Sequence, residues 1–228
     1  MICPCTTEDW EAPAMPCNCC EITDSAFTED EAKADVKNYR KRGPAHQTRL
    51  ILEGIRSMGF TDAILLDIGG GVGAIHHELL DGVAKQATHV DASSAYLKEA
   101  REEAARRGHS ERVQFIHADF TDVANDLPIA DIVTLDRVVC CYPDYRGLLK
   151  AAAGHSRGAL ALTYPRETWY MRIGLGVMNF FQRLRRDPFR VFLHPVDQMH
   201  ALLNNEGFQR VSIRRLFVWE AVLYRKKS

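Results

Sequence analysis

Nothing in the 228 residues approaches the roughly 20 consecutive apolar residues that a membrane-crossing helix needs. Charge of one sign is missing too. Lys and Arg number 29 against 30 Asp and Glu, and the net charge of -1 offers no global attraction to nucleic acid or an anionic bilayer. The sequence has no internal repeat, no low-complexity linker and no appended RNA- or DNA-binding module. Its start is polar and cysteine-rich, unlike a secretory leader, so a cytoplasmic location is expected. What is left is an ordinary globular composition whose length suits one α/β domain with extensions.

The seven cysteines are spread unevenly. Cys3, Cys5, Cys17, Cys19 and Cys20 crowd the first twenty residues, and Cys140 and Cys141 sit mid-chain. An odd total in a chain large enough to build its own core needs no disulfide framework and points to a reducing compartment. Thiolates are good zinc ligands, but C-x-C followed by C-x-C-C lacks the usual C-x2-C knuckles. Residues 1–24, with Pro4, Pro13 and Pro16, are therefore expected to be a flexible tail without a metal site.

The domain is expected over 25–228. Thr28 and Glu31 form a capping-box pattern for a helix running toward Tyr39. A second helix through Leu50, Ile51 and Ile55 is stopped by Gly59, so that 25–59 forms two helices ahead of the first strand. Strands are then expected at 63–67, 87–91, 113–117, 129–135 and 159–163, with helices at 74–81 and 94–107. In the second of these helices Leu97, Ala100 and Ala104 share an inward face, with Glu102–Arg106 and Glu103–Arg107 as outward i,i+4 pairs. Such alternation implies a mostly parallel sheet with helices on both faces. The last third departs from it. A broadly apolar helix at 165–184 and another at 195–205 precede two strands, 208–217 and 220–225, whose connecting turn is too short for parallel neighbours.

The run Asp67-Ile68-Gly69-Gly70-Gly71-Val72-Gly73 lies between the first strand and the first helix of that alternation. Glycines there allow a sharp turn and a close approach of main chain to a ligand, and the helix start offers free N–H groups. Asp91 ends the second strand about twenty residues beyond the turn, where an acid can accept from both hydroxyls of a ribose. Asp119, in Ala118-Asp119-Phe120, reaches the same sheet edge; it can accept from an exocyclic amine while Phe120 lies against a base.

Together these residues resemble the class I S-adenosylmethionine-dependent methyltransferases. Asp67-x-Gly69-x-Gly71-x-Gly73 is similar to their first motif and Asp131-Ile132-Val133-Thr134-Leu135 to their fourth-strand motif, and the antiparallel finish matches their reversed seventh strand. The resemblance covers residues 45–225 and implies a Rossmann-like doubly wound sheet of seven strands, mostly parallel, with an antiparallel last strand. It also implies S-adenosylmethionine as cofactor. Asp67, Gly69, Gly71 and Gly73 would form its first-motif seat, the glycines against its amino-acid part. Asp91 would hold the ribose, Ala118, Asp119 and Phe120 the adenine, and Asp136 and Arg137 would face the methyl-transfer centre.

A rival reading is an NAD(P)-dependent oxidoreductase, because Gly69-x-Gly71-x-x-Ala74 also satisfies the dinucleotide fingerprint. Gly73, the acid–aromatic pair, the antiparallel finish and the lack of a second mononucleotide half favour methyl transfer. The Asn/Asp-Pro-Pro-Tyr motif of many amino-methylating relatives is replaced here by Val138-Val139-Cys140-Cys141-Tyr142-Pro143-Asp144, which favours an O or C acceptor. Tyr142 either closes over the pocket or packs, with packing preferred, and the two cysteines read as small fillers. His194 is the candidate base, whereas His76 and His77 read as exposed helix residues, with proximity to the cofactor as the alternative.

Residues 164–206 would form a lid on the substrate side. Its apolar helix is flanked by Arg166, Arg172, Arg183, Arg185, Arg186 and Arg190, and three readings are open: a core helix, a lid over an apolar acceptor carrying an anion, or membrane-surface contact through 164–190. Family members acting on porphyrins, quinone precursors and other lipophilic metabolites share such lids. A magnesium-protoporphyrin-type carboxyl methyltransferase is one such relative, with no diagnostic motif to single it out. The expected partner is thus a small lipophilic metabolite, with nucleic acid as the alternative acceptor.

Overall fold

In the computed structural model, residues 24, 26–185, 187 and 189–227 are described. The five N-terminal cysteines, and with them the expected tail and its lack of metal, lie outside the described residues, as does Arg186.

The chain opens with helices α1 (Glu29–Arg42) and α2 (His46–Ser57). The capping box at the start of α1 is formed: the Thr28 hydroxyl accepts from Glu31 N, and the Glu31 carboxylate accepts from Thr28 N at 2.9 Å. The alternating part then runs β1 (Ala63–Ile68), α3 (Ala74–Leu80), β2 (Ala84–Asp91), α4 (Ser94–Arg107), β3 (Val113–His117), the one-turn helix α5 (Phe120–Val123) and β4 (Ala130–Asp136). It continues through α6 (Tyr145–Gly154) and β5 (Ser156–Pro165). The final third is α7 (Trp169–Leu184), α8 (Val196–Asn205), β6 (Phe208–Arg215) and β7 (Trp219–Lys226).

The seven strands form one sheet in the order β3-β2-β1-β4-β5-β7-β6. The first five pair in parallel; β7 runs antiparallel between β5 and β6. The expected Rossmann-like sheet is therefore present. Its antiparallel end follows from the short β6–β7 turn, which can only join antiparallel neighbours. Strand order reverses at the β1/β4 boundary, and a crevice opens there at the carboxyl edge.

Two apolar layers cover the sheet. On one face Ile51, Leu52 and Ile55 of α2 and Ile75 and Leu79 of α3 pack on Leu65, Ile132, Ala161 and Leu223. On the other, Leu148, Leu149 and Ala152 of α6 and Met199 and Leu203 of α8 pack on Leu66, Val133, Leu160 and Val222.

Three features differ from the sequence reading. Helix α6 has no counterpart among the expected elements, yet Tyr145, Leu148, Leu149, Ala152 and Ala153 are its buried face at helical spacing, and Asp144 caps it through a 3.0 Å bond from Gly147 N. Glu103 is not on an outward face. It is fully buried and accepts from Arg40, Arg106 and Arg107, which hold its carboxyl down to about 2 against the penalty of burial. Glu102 forms no ion pair among the described residues. Helix α7 begins at Trp169, four residues later than expected, because β5 extends to Pro165.

Candidate active site

At the carboxyl edge, the turn after β1 is built from left-handed glycines: φ is +60° at Gly69 and +55° at Gly71. At Gly69 a side chain is excluded twice, because a Cβ there would also run into Val138 Cγ2. The turn folds back on itself through Gly73 N donating to Gly70 O at 2.9 Å, and is tied to β2 by Gly69 N donating to Val90 O at 2.7 Å.

The three expected acids converge on this turn in different ways. Asp67 is buried under it. Its Oδ1 accepts from Thr134 Oγ1 at 2.7 Å, its Oδ2 lies 3.3 Å from His76 Nδ1, and burial raises its carboxyl above the ordinary range. Asp91 closes β2 with Oδ2 accepting from Gly71 N and Oδ1 from Ser93 N, both at 2.8 Å. Burial pushes it up to about 6, against the pull of those two backbone donors. Each oxygen keeps a second lone pair for a ligand hydroxyl. Asp119 is the N-cap of α5. Its Oδ1 accepts from Thr121 N and Thr121 Oγ1 and also from the Tyr142 hydroxyl, and burial raises it. Phe120 beside it also lines the crevice, although the core cluster buries it almost wholly.

These groups border one cavity of about 480 Å3, a size typical of small-ligand sites. Asp67, Gly69, Gly71, Asp91, Ala118, Asp119, Phe120, Asp136 and Arg137 all line it; Gly73 and His194 do not. A second cavity of about 380 Å3, between α8 and the β6 end of the sheet, is lined by charged groups and contains none of them.

Asp136 is held by two hydroxyls, Thr48 Oγ1 at 2.5 Å and Thr163 Oγ1, so its carboxylate is fixed at the cavity wall. Arg137 has the left-handed φ of +63°, anchored by its N–H donating to Thr163 Oγ1 at 2.8 Å. Its exposed guanidinium forms no ion pair among the described residues. Among the described residues lining the cavity it is the one basic group, beside the carboxyls of Asp35, Asp67, Asp91, Asp119 and Asp136.

His194 is elsewhere. Its Nε2 donates toward Val139 O and Tyr142 O at 3.1 and 2.9 Å, and its ring packs 4.5 Å from that of Tyr145, an arrangement that pins the loop after β4. His76 and His77 are also placed differently from the exposed-residue reading. Both are fully buried on α3 beneath the glycine turn, beside His89 of β2. Cys140 is buried and Cys141 half-buried, both at the cavity wall, their Sγ atoms 3.9 Å apart.

The helix expected as a lid on the substrate side borders the cavity, and the structure shows which stripe of it does so. Met171, Leu175 and Met178, at i, i+4 and i+7 of α7, turn into the cavity, and Phe189, Val191 and Trp219 complete an apolar wall. The opposite stripe of α7, through Trp169, Ile173, Val177, Phe180 and Leu184, faces solvent, with exposures of 51% to 74%. No residue of α7 is buried, so the helix is no core element.

Residues 65–157 match the family model described as "Methyltransferase domain". Over that segment the chain matches a methyltransferase domain. Its fold is shared with magnesium protoporphyrin IX methyltransferase from Synechocystis PCC 6803, solved with bound SAH: TM-score 0.68, 16% identity, 92% of this chain and 100% of that one. The fold is also shared with 1,6-didemethyltoxoflavin-N1-methyltransferase from Burkholderia thailandensis, at TM-score 0.67, 18% identity, and 96% and 93% coverage. The cyclase SpnF has it as well, at TM-score 0.61, 17% identity, and 79% and 80% coverage. At such identities these likenesses concern architecture. No curated protein sequence matches the chain.

Proposed function

We propose that the methyltransferase domain transfers a methyl group from S-adenosylmethionine to an oxygen or carbon of a small lipophilic acceptor that carries an anion, releasing S-adenosylhomocysteine. The observation that carries this reading is the continuity of one cavity, from Asp91 and Asp119 past the bare glycine turn to the apolar inner face of α7.

The residues present fit the cofactor. Asp91 accepts from the ribose hydroxyls with the lone pairs its backbone donors leave free, Asp119 accepts from the adenine amine, and Gly69 and Gly71 let main chain approach the amino-acid part. Bound there, the sulfonium supplies the methyl group. The protein's task is then alignment and exclusion of water, which can provide much of the barrier reduction. Met171, Leu175 and Met178 would dry and shape the acceptor chamber, and Arg137 would orient the acceptor's anionic group.

Among the described residues that line the cavity, none is His or Lys. An acceptor that arrives already ionised, such as a carboxylate or an enolate, needs no base there. The reading accordingly assigns His194 to holding the loop and no longer to proton transfer. A lipophilic acceptor also gives the outer stripe of α7 a use. Its exposed apolar residues, with Arg172 and Arg183 at the flank, suit contact with an anionic bilayer surface from which such a molecule is taken up. Among the described residues no helix is long and apolar enough to cross a membrane.

Calorimetry with S-adenosylmethionine, S-adenosylhomocysteine and NADH tests the cofactor, and a preference for NADH would overturn the reading. Incubation with methyl-labelled cofactor and a metabolite extract tests the acceptor. Label should appear in a hydrophobic, anionic-precursor fraction and be insensitive to salt, whereas salt-sensitive label in nucleic acid would refute the small-molecule assignment.

A further inference from the structure

Four imidazoles, those of His76, His77, His89 and His109, are buried together beneath the glycine turn, and methyl transfer as read above uses none of them. Their hydrogen bonds do not balance. His109 Nε2 lies 3.1 Å from Asp81 Oδ1 and its Nδ1 3.2 Å from His77 Nδ1, so a neutral His109 donates to Asp81 and accepts from His77. On the other side, His76 Nδ1 stands 3.3 Å from Asp67 Oδ2 and 3.1 Å from His89 Nδ1. A proton on His76 Nδ1 serves the carboxylate but leaves the His89 nitrogen facing a donor already engaged. The Nε2 atoms of His76, His77 and His89 have no partner among the described residues. The observation that calls for an ion is on the other nitrogens: His76 Nδ1, His89 Nδ1 and the Asp67 carboxylate converge, and one shared proton cannot satisfy all three.

We propose that Asp67 Oδ2, His76 Nδ1 and His89 Nδ1 form a buried structural site for a divalent late transition cation, zinc by preference. One donor atom from each of the three residues lies within 4.8 Å of the other two. The two resolved separations, 3.3 and 3.1 Å, are close to the edge of about 3.3 Å expected for a tetrahedron with metal–ligand bonds of about 2.0–2.1 Å. Thr134 Oγ1 holds the other carboxylate oxygen at 2.7 Å, the kind of outer partner that orients a ligand, and leaves Oδ2 for the cation. Gly70 provides the room. A Cβ there would stand 2.7 Å from Asp67 Oδ2 and 2.8 Å from His89 Nδ1. Two imidazoles, one carboxylate and no thiolate suit zinc better than a softer or harder ion. The cation replaces the single shared proton, engages both Nδ1 lone pairs, and ties β1, β2 and α3 together under the turn. The site does not depend on the acceptor, and of its ligands it shares Asp67 alone with the cavity lining.

The test uses the full chain with Cys3→Ser, Cys5→Ser, Cys17→Ser, Cys19→Ser and Cys20→Ser, so that those thiols cannot compete, alongside the unaltered chain. After chelator stripping, Zn2+ is added; bound zinc is measured by elemental analysis once free metal is removed, and thermal melting is followed on a parallel sample with free Zn2+ kept in excess. One equivalent per chain is expected, with a rise in melting temperature of about 5–10 °C when free Zn2+ is 100-fold above Kd. Loading with Co2+ should give ligand-field bands without thiolate charge transfer. His89→Gln and Gly70→Ala should each lose the bound metal. The proposal is overturned if the stripped five-serine chain takes up no Zn2+ and its melting is unmoved, if His89→Gln retains metal as well as its parent, or if the Co2+ spectrum shows thiolate ligation. Should His89→Gln fail to fold, Gly70→Ala and the melting of the parent chain decide.

Discussion

Replacing Asp91 by Asn tests the cofactor reading at its centre, because the substitution keeps shape and removes charge. Asp91 Oδ2 holds Gly71 N and Oδ1 holds Ser93 N, and each oxygen has one further lone pair directed to a ligand. Two ribose hydroxyls bound to an ionised carboxylate contribute about 1.5–3 kcal/mol each, and the two are not additive. A loss of about 3 kcal/mol corresponds to affinity for S-adenosylmethionine and S-adenosylhomocysteine weakened about 100-fold. Stability should change little. Burial holds this carboxyl up at about 6, so its charged form is unwelcome in the fold, but Asn keeps an acceptor for only one of Ser93 N and Gly71 N and turns its amide N–H groups toward the other, which offsets the gain. Calorimetry and thermal melting on the same samples check both halves. Affinity within threefold of the parent, with the melting temperature unchanged, would refute the ribose role; lost affinity accompanied by a collapse in melting temperature would show that Asp91 acts through the fold.

Leu175→Trp fills the acceptor chamber from α7 and should leave S-adenosylhomocysteine affinity intact while labelled product disappears; product at parental yield would remove the chamber from the mechanism. Thr134→Val deprives the buried Asp67 Oδ1 of its donor at a cost of about 1.5–3 kcal/mol, seen as melting lowered by about 5 °C. Gly69→Ala forces a side chain into a left-handed position against Val138 and should cost at least about 1–2 kcal/mol and weaken cofactor binding; unchanged binding by calorimetry would mean that the turn does not touch the ligand. Phe180→Glu with Leu184→Glu should abolish cosedimentation with anionic vesicles and leave cofactor affinity alone; retained cosedimentation would refute the bilayer role of the α7 stripe.

Local chemistry made much of the site legible. The left-handed turn after β1 follows from glycines at 69 and 71, and the acid at 91 follows from its distance to them, because a βαβ unit returns its second strand to the same edge after about that many residues. Helix α6 was legible in principle through Tyr145, Leu148, Leu149, Ala152 and Ala153, with Asp144 as cap, although the more conspicuous strands on either side hid it. The histidines were not. His76 and His77 adjoin each other at the start of a short helix, and only their meeting with His89 and His109 from other elements shows that both are buried.

The order of residues by itself determined the parallel βα alternation, its antiparallel end and the glycine-and-acid edge, because each depends on periodicity, turn length or backbone freedom within a few tens of residues. Tertiary structure alone decided which stripe of α7 faces the cavity, that Arg137 stands unpaired while Asp136 is held by two hydroxyls, and that three nitrogen and oxygen donors from β1, α3 and β2 meet under the turn. Those outcomes depend on contacts between segments far apart in the chain, which share no local pattern and come into register only when the sheet closes.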